Sequence, residues 1–273
     1  MKTNYWKSLG LTGLALMAVA ATAAAAGPPA SSYDNFKSGH LDPSKWTSAP
    51  FGQCNQLTTL ECVRAITLPR TLELGIRTLG SNATDSGRTY DTSFIQFRNP
   101  ASINSMAVDV RIPIAASVSC PVNTGDRSYS HFLLTGGFFN TGSSPDFWGD
   151  LDAYVLIDTN NPGGKPVAGA FLGSNNTFFG NVVLGNVAPG EPVRISMRWD
   201  QPGSQFVFSL THLLTGQQSI ASIPYAQTVA GPAAQAFREM GTRNFVANCT
   251  ATPTSAQMDA FVSNVQVNSP SIP

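Results

Sequence analysis

The amino-acid sequence predicts an all-β protein, a two-sheet antiparallel jelly-roll β-sandwich with one short helix near residues 232–241. Short segments that alternate apolar and polar residues are separated by clusters of Gly, Pro, Asn and Ser, which is the pattern of strands and turns. Half-buried strands need a second sheet to cover their apolar side, so the pattern predicts two packed sheets. A β-helix, the main alternative, would require a short sequence repeat, and none is visible.

The strands can be assigned in order along the chain. In the first of them, Leu72, Leu74 and Ile76 fall on one face. The predicted strands are Ile66–Thr78, Ser93–Phe97, Met106–Ile112, His131–Phe139, Ala153–Ile157, Pro192–Trp199, Gln205–Leu210 and Met258–Val267. The fourth and fifth are continuously apolar, as in central strands that are buried on both faces. The sixth and seventh are separated by Asp200–Gly203, which predicts the turn of a hairpin.

The one predicted helix lies late in the chain. Pro232 stands where the first turn of a helix tolerates proline, and Ala233–Met240 contains good helix formers. Gly241 follows as a helix stop. We expect this helix to pack its apolar side against a sheet edge.

The first 26 residues have the composition of a signal peptide. Lys2 and Lys7 form a basic start, Leu11–Ala20 carries no charge, and Ala24–Ala26 offers small residues for cleavage. The apolar run approaches membrane-spanning length, so a retained anchor is the alternative, but the Gly-Pro-Pro that follows favours cleavage. We expect a secreted protein, extracellular or periplasmic, in which residues 27–273 form one domain without membrane attachment.

The composition limits the partners. Lys plus Arg and Asp plus Glu number 16 each, and charged residues are only 12% of the chain. Nucleic acids and anionic membranes bind concentrated Lys and Arg, so neither is expected as a partner. Apolar residues make up 42%, which argues against a disordered chain.

Four cysteines predict two disulfides. Cys54, Cys62, Cys120 and Cys249 are an even number in an exported chain, and their spacing contains no C-x-x-C pattern that would favour zinc. Three pairings are possible. We favour Cys54–Cys62, which closes a short loop, with Cys120–Cys249 as a long-range link that restricts the unfolded chain by about 4–5 kcal/mol.

Three segments resemble the concanavalin A-like lectin/glucanase superfamily, which includes laminin G-like modules and bacterial secreted members. They are the start Tyr33–Trp46, the Val193–Asp200 strand with Gln205–Phe208, and the closing Asp259–Val267. The resemblance implies a jelly roll in which the Met106 and Met258 strands run side by side, so that Cys120 and Cys249 meet at one rim. It leaves the function open, because this fold hosts lectins, hydrolases, lyases and spacers.

The glucanases of this superfamily carry an E-x-D-x-x-E strand, and the nearest match here is Gly149–Val155. Asp150 and Asp152 share a face in it, but Tyr154 and Val155 stand where a further carboxylate is expected. The glutamates of the family pattern are absent. The sequence therefore favours a structural role for the two aspartates at the entry of a strand.

The lyases of this fold move a proton with His and Tyr and neutralise a carboxylate with Arg and an amide. His131, Tyr154 and Arg77 are the catalytic candidates that this resemblance implies. The accompanying Gln-x-His and Tyr-x-Lys-x-Gly patterns are missing. Enzymatic activity therefore stays uncertain, a non-catalytic protein is favoured, and a lyase is preferred to a hydrolase among enzymes.

Two loops combine aromatic and amide side chains, as a glycan site requires. Trp148 follows a Pro-Asp pair in the first loop. The predicted ligand-binding residues are Trp148, Asp146, Asp150 and Asn140 in that loop, and Asn175 and Asn176 in the second. We expect a glycan, or a surface or matrix partner, to bind there. A purely structural surface protein without a ligand is the third alternative.

No cofactor is expected, apart from a structural calcium ion. Related modules hold calcium with loop carboxylates, and this resemblance implies Asp34 and Asp259 as its ligands. The D-x-D-x-D-G calcium loop is absent.

Overall fold

The computed structural model describes residues 32–48, 54, 58–68, 70–160, 165–174 and 177–268. The predicted signal peptide lies outside these residues. The described part contains strands and two short 3-10 helices but no α-helix. None of its helices has the length and apolarity that a membrane span requires.

Two antiparallel sheets make up the fold. The strands are β1 (Ser32–Asp34), β2 (Trp46–Ser48), β3 (Thr59–Thr67), β4 (Thr71–Leu79), β5 (Arg88–Phe97), β6 (Ser105–Val118), β7 (Tyr129–Asn140), β8 (Asp150–Asp158), β9 (Val167–Ser174), β10 (Thr177–Asn186), β11 (Pro192–Asp200), β12 (Gln205–His212), β13 (Gln218–Pro224), β14 (Gly231–Ala247) and β15 (Ser255–Val267). The 3-10 helices are Pro100–Ser102 and Phe147–Gly149.

The strand order confirms the predicted sandwich. One sheet has the order β13-β12-β11-β6-β15-β4-β3, with β1 added beside β15. The other has seven strands in the order β10-β9-β8-β7-β14-β5-β2. The hairpin of β11 and β12 has the predicted register, with Asp200 opposite Gln205. The predicted Ile66–Thr78 strand is divided by a turn and belongs to both β3 and β4.

The core lies between the two sheets, and strand alternation divides the seven-stranded sheet into two faces. Phe132 and Leu134 of β7, Val155 of β8 and Met240 of β14 belong to the core. The neighbours of these residues in the sequence therefore point to the opposite side, which we call the outer face. The site described below lies on this outer face.

The predicted helix at 232–241 is wrong. These residues belong to β14, which lies between β5 and β7 and pairs with both. Helix propensities differ by less than about 1 kcal/mol per residue for all residues except proline. A central strand instead bonds its backbone on two edges and buries side chains on two faces. The register with β7 shifts between Pro232 and Phe237, so the most helix-like segment is the irregular start of a strand.

Both favoured disulfides are confirmed. Cys54 is bonded to Cys62 and Cys120 to Cys249, with Cα–Cα distances of 5.8 and 5.4 Å. β6 and β15 run antiparallel as neighbours, as the resemblance implies. The second bridge closes just after the end of β14, and therefore fixes the end of the strand that supplies much of the site.

Candidate functional site

A cleft of about 240 Å³ opens on the outer face of the seven-stranded sheet. Three central strands and the second 3-10 helix contribute to it. Its lining consists of Thr135, Phe147, Trp148, Asp150, Asp152, Tyr154, Gln235, Phe237, Glu239 and Arg243. An aromatic wall thus stands beside a floor of acidic, amide and cationic groups.

The wall is the Phe147–Trp148 pair. The two side chains are 43% and 49% exposed, and their ring centroids lie 4.3 Å apart. Asp146 caps this turn by accepting hydrogen bonds from the Trp148 amide at 3.0 Å and from the Ser144 hydroxyl at 2.6 Å. Asp146, which the sequence predicts as a ligand contact, therefore positions the tryptophan.

Asp150 and Asn140 hold the start of β14 in place. The Asp150 carboxylate accepts bonds from the Ala234 and Gln235 amides, both at 2.8 Å, and from Asn140 Nδ2 at 3.0 Å. Both carboxylate oxygens are occupied by these donors. Asp150 therefore fixes the irregular segment that carries Gln235 into the cleft.

Asp152 lies at the floor of the cleft between two glycines. Gly137 of β7 and Gly173 of β9 are its cross-strand neighbours, and the Phe237 ring covers the space above Gly137. Burial, together with the charge of Asp150, raises the pKa of Asp152 to about 8, against a hydrogen bond from Tyr154. Its Oδ1 has no hydrogen-bond partner among the described residues.

Glu239 supplies a second carboxyl from β14. It is only 2% exposed, and its cross-strand neighbours are Gln96 and Thr135. Burial raises the pKa of Glu239 to about 7, although the charge of Arg243 opposes this shift. Its Oε1 also has no partner in the described part of the chain. The cleft therefore contains two protonatable carboxyls, each with an unused oxygen.

Tyr154 stands beside these acids. Burial, followed by the charge of Asp152, raises the pKa of its hydroxyl above the usual range. The hydroxyl therefore stays protonated and can donate a hydrogen bond to an acid or to a ligand.

The three residues of the lyase hypothesis are not brought together. His131 shares the outer face with Tyr154, but it pairs with Asp158, four residues further along β8, and does not line the cleft. Burial and the nearby arginines lower the pKa of His131, so its imidazole is neutral. Arg77 lies on the other sheet, opposite Glu61 and Gln257.

The calcium candidates are also separated. Asp34 accepts bonds from Trp46 Nε1 at 2.6 Å and from the Phe36 amide at 2.8 Å, and it pairs opposite Val265. Asp259 lies six residues before Val265 on β15. Among the described residues, the cluster with metal-ligand spacing is Asp85, Cys120 and Cys249, whose sulfurs form a disulfide. Asn175 and Asn176 lie outside the described residues.

The residues that the sequence prediction missed come from β14. Gln235, Glu239 and Arg243 fall within or just after the segment interpreted as a helix. Little in the local sequence marks them as strand residues. Both alternating sets mix polar and apolar residues, with Glu239, Gly241, Arg243 and Phe245 in one and Met240, Thr242, Asn244 and Val246 in the other.

Comparisons with known proteins bear on the fold. No family model and no curated protein sequence matches the chain. Among solved structures, the chain is similar to lectin II from Ulex europaeus, with 12% identity, 81% of this chain and 98% of the lectin covered, and a TM-score of 0.38. The chain is also similar to a β-1,3-glucanase from Mycobacterium marinum, with 13% identity, 89% of this chain and 100% of the glucanase covered, and a TM-score of 0.46. A third similar structure is a GH131 β-glucanase catalytic domain from Podospora anserina, with 15% identity, 74% of this chain and 73% of that domain covered, and a TM-score of 0.37.

The two-sheet order is the sandwich architecture that the sequence predicts. The described part of the chain forms a two-sheet antiparallel β-sandwich. The likeness concerns architecture, and the chemistry of the site has to be argued from its own side chains.

Proposed function

We propose that this protein binds a glycan in the outer-face cleft. The observation that carries the proposal is an exposed aromatic pair beside buried polar groups that have unused hydrogen-bonding capacity. Saccharide rings stack on aromatic faces through their C–H groups, while their hydroxyls need donors and acceptors. Trp148 and Phe147 supply the aromatic faces. The hydrogen-bonding groups are those of Asp152, Glu239 and Gln235.

Unsatisfied buried polar atoms support this proposal independently of the aromatic wall. A buried acceptor without a partner costs about 1–3 kcal/mol of stability. The cleft lining contains three such atoms, Thr135 Oγ1, Asp152 Oδ1 and Glu239 Oε1. A ligand hydroxyl that donates to them offsets this cost, so sites of this kind are kept for binding or chemistry.

Replacement of the exposed tryptophan tests the binding proposal. We expect Trp148→Ala to weaken glycan binding by about 5- to 100-fold, because one ring–ligand stack contributes roughly 1–3 kcal/mol. Retention on a glycan array followed by calorimetry with the best ligand measures the effect. Ile220→Ala is the matched control, since it removes another exposed apolar side chain from the other sheet. Equal binding by both variants would contradict the proposal.

Hydrolysis of the bound glycan is the second candidate, and the two acids with raised pKa values favour it. Asp152 protonated as general acid would give its proton to the leaving oxygen, and Glu239 ionised as general base would take one from the attacking water. β14 and β8 are separated by β7, so the two strands lie about 10 Å apart.

Product formation tests this second candidate. The pKa of about 7 for Glu239 and of about 8 for Asp152 predict maximal activity between about pH 7 and pH 8, where one is ionised and the other is protonated. Release of reducing ends should be lost in Asp152→Asn and Glu239→Gln while glycan binding persists. If no substrate in the panel yields product, the hydrolysis proposal is overturned and glycan binding remains. If the glycan array also shows no binding, the result favours a structural surface protein.

Export is part of the proposal. Two disulfides fit an oxidising compartment, and the N-terminal segment has the composition of a signal peptide. N-terminal sequencing of the exported protein should begin at Gly27. A chain that begins at Met1 and stays with the membrane fraction would contradict cleavage.

A further inference from the structure

Arg243 is a cation in the cleft that has no ion pair in the described part of the chain. Its Nε is buried and has no hydrogen-bond partner there. Arg64 Nε and Arg198 Nε also have no hydrogen-bond partner among the described residues, but neither residue lines the cleft. Arg194 forms a bidentate pair with Asp109, and Arg238 donates to three backbone carbonyls. A guanidinium stays charged in proteins, so Arg243 carries donors that await an acceptor.

Aromatic rings hold this guanidinium in place. Its carbon lies 5.2 Å from the Phe94 ring centroid and 6.0 Å from that of Phe245. Such contacts with ring faces favour a cation and restrict its rotamers. The guanidinium is therefore positioned before any ligand arrives, which lowers the entropy that binding costs.

Phe94 covers Gly241, which lies between Arg243 and Glu239 on the same strand. The two charged residues lie on either side of Gly241. The space above Gly241 is filled, since a Cβ there would approach Phe94 Cδ1 to 2.2 Å. The acid and the guanidinium can thus face the same cleft without forming an ion pair within 4 Å.

A second guanidinium lies near Arg243. Arg88 adds a second guanidinium 4.6 Å from the Phe245 ring centroid and donates to the Tyr129 hydroxyl at 2.9 Å. The raised pKa values of Glu239 and Asp152 mean that both acids are partly protonated near neutral pH, while the charge of Asp150 also acts in the cleft. His131 is neutral and adds no charge.

We propose that the natural ligand of the cleft is an anionic glycan, whose acidic group pairs with Arg243 while its sugar rings lie toward Trp148. The inference rests on the proposed glycan binding and names the class of glycan. The planar fork of a guanidinium matches a carboxylate with two parallel hydrogen bonds, which makes a uronate the best fit. Glu239 and Asp152 then take hydrogen bonds from the sugar hydroxyls.

Calorimetry with three oligosaccharides of equal length tests this inference. The probes are an oligouronate, the corresponding neutral oligosaccharide and a sulfated one. We expect the oligouronate to bind at least tenfold tighter than the neutral probe, and this advantage to shrink as salt is added. Tight binding of the sulfated probe as well supports an anionic ligand and identifies sulfate as an alternative source of the charge.

Variants locate the effect. Arg243→Met keeps an apolar stem over the rings and removes the charge, so the advantage of the oligouronate should disappear while neutral binding persists. Arg77→Met is the matched control, because it removes an exposed arginine from the other sheet and should change nothing. If Arg243→Met does not fold, Arg243→Lys, which keeps the charge but loses the fork, should lower affinity for the oligouronate selectively.

The outcomes separate the two proposals. Neutral and acidic probes that bind equally, with both lost in Trp148→Ala, overturn the anionic ligand and leave glycan binding in place. Equal loss of both probes in Arg243→Met also overturns it. Absence of binding by every probe overturns both proposals.

Discussion

Asp152 keeps its proton because its carboxyl group is buried and lies near the negative charge of Asp150. The pKa of Asp152 in the folded protein is about 8, whereas the ordinary pKa of an exposed aspartate is 3.8. Between these two pH values the native state binds a proton that the unfolded chain has released. The stability of the native state therefore falls as pH rises through this window and levels off above it.

The variant Asp152→Asn should remove this pH dependence. We expect it to match the wild type near pH 4 and to exceed the free energy of unfolding of the wild type at pH 8 by about 1–3 kcal/mol. Urea unfolding at pH 4, 6 and 8 measures the difference. Asp126→Asn, a carboxyl outside the cleft, serves as the control. A wild-type stability that rises from pH 5 to pH 8 would contradict the assigned protonation.

Individual site residues differ in how far the sequence reveals them. Trp148, Asp150 and Asp152 lie in one short stretch where a loop leads into a strand, so the sequence singles out this stretch, although it favours a structural role for the two aspartates. Glu239 and Arg243 are distant in sequence. They enter the cleft only because β14 lies beside β7, and no local pattern encodes that neighbour.

Among the strands, predictability follows the range of the contacts. The β11–β12 hairpin is fixed by its own turn and alternation, and both are visible in the sequence. β14 has a helix-like composition over Ala233–Met240 and is extended because β5 and β7 bond to it on both edges. Tertiary pairing outweighs small differences in intrinsic propensity.

The close approach of β5 to β14 gives a test of that pairing. A Cβ on Gly241 would lie 2.2 Å from both Phe94 Cδ1 and the Ser93 carbonyl oxygen, and the latter is backbone that cannot rotate away. We expect Gly241→Ala to cost about 2–4 kcal/mol of stability. Gly231→Ala on the same strand meets no atom within 4 Å and should change stability little. Comparable thermal melting of the two variants would contradict the tight contact.

Across the whole molecule, the two disulfides should differ in what they contribute. Their sequence separations are 8 for Cys54–Cys62 and 129 for Cys120–Cys249. In the chain-entropy model the short loop contributes about 2.5 kcal/mol and the long one about 5 kcal/mol. Urea unfolding of the two paired Cys→Ser variants measures this order. A larger loss from the short loop would mean that entropy of the unfolded chain is not the source of the stabilisation.

The position of β14 also governs when the protein can assemble. β5 and β7 are synthesised well before β14, yet they are separated by it in the finished sheet. A nascent chain that stops before residue 231 therefore presents two open edges where the middle of the sheet will be, and open edges pair readily with other chains. Synthesis of the last strands must precede closure, so a chaperone that keeps the emerging polypeptide unfolded until its end is complete would protect it from aggregation.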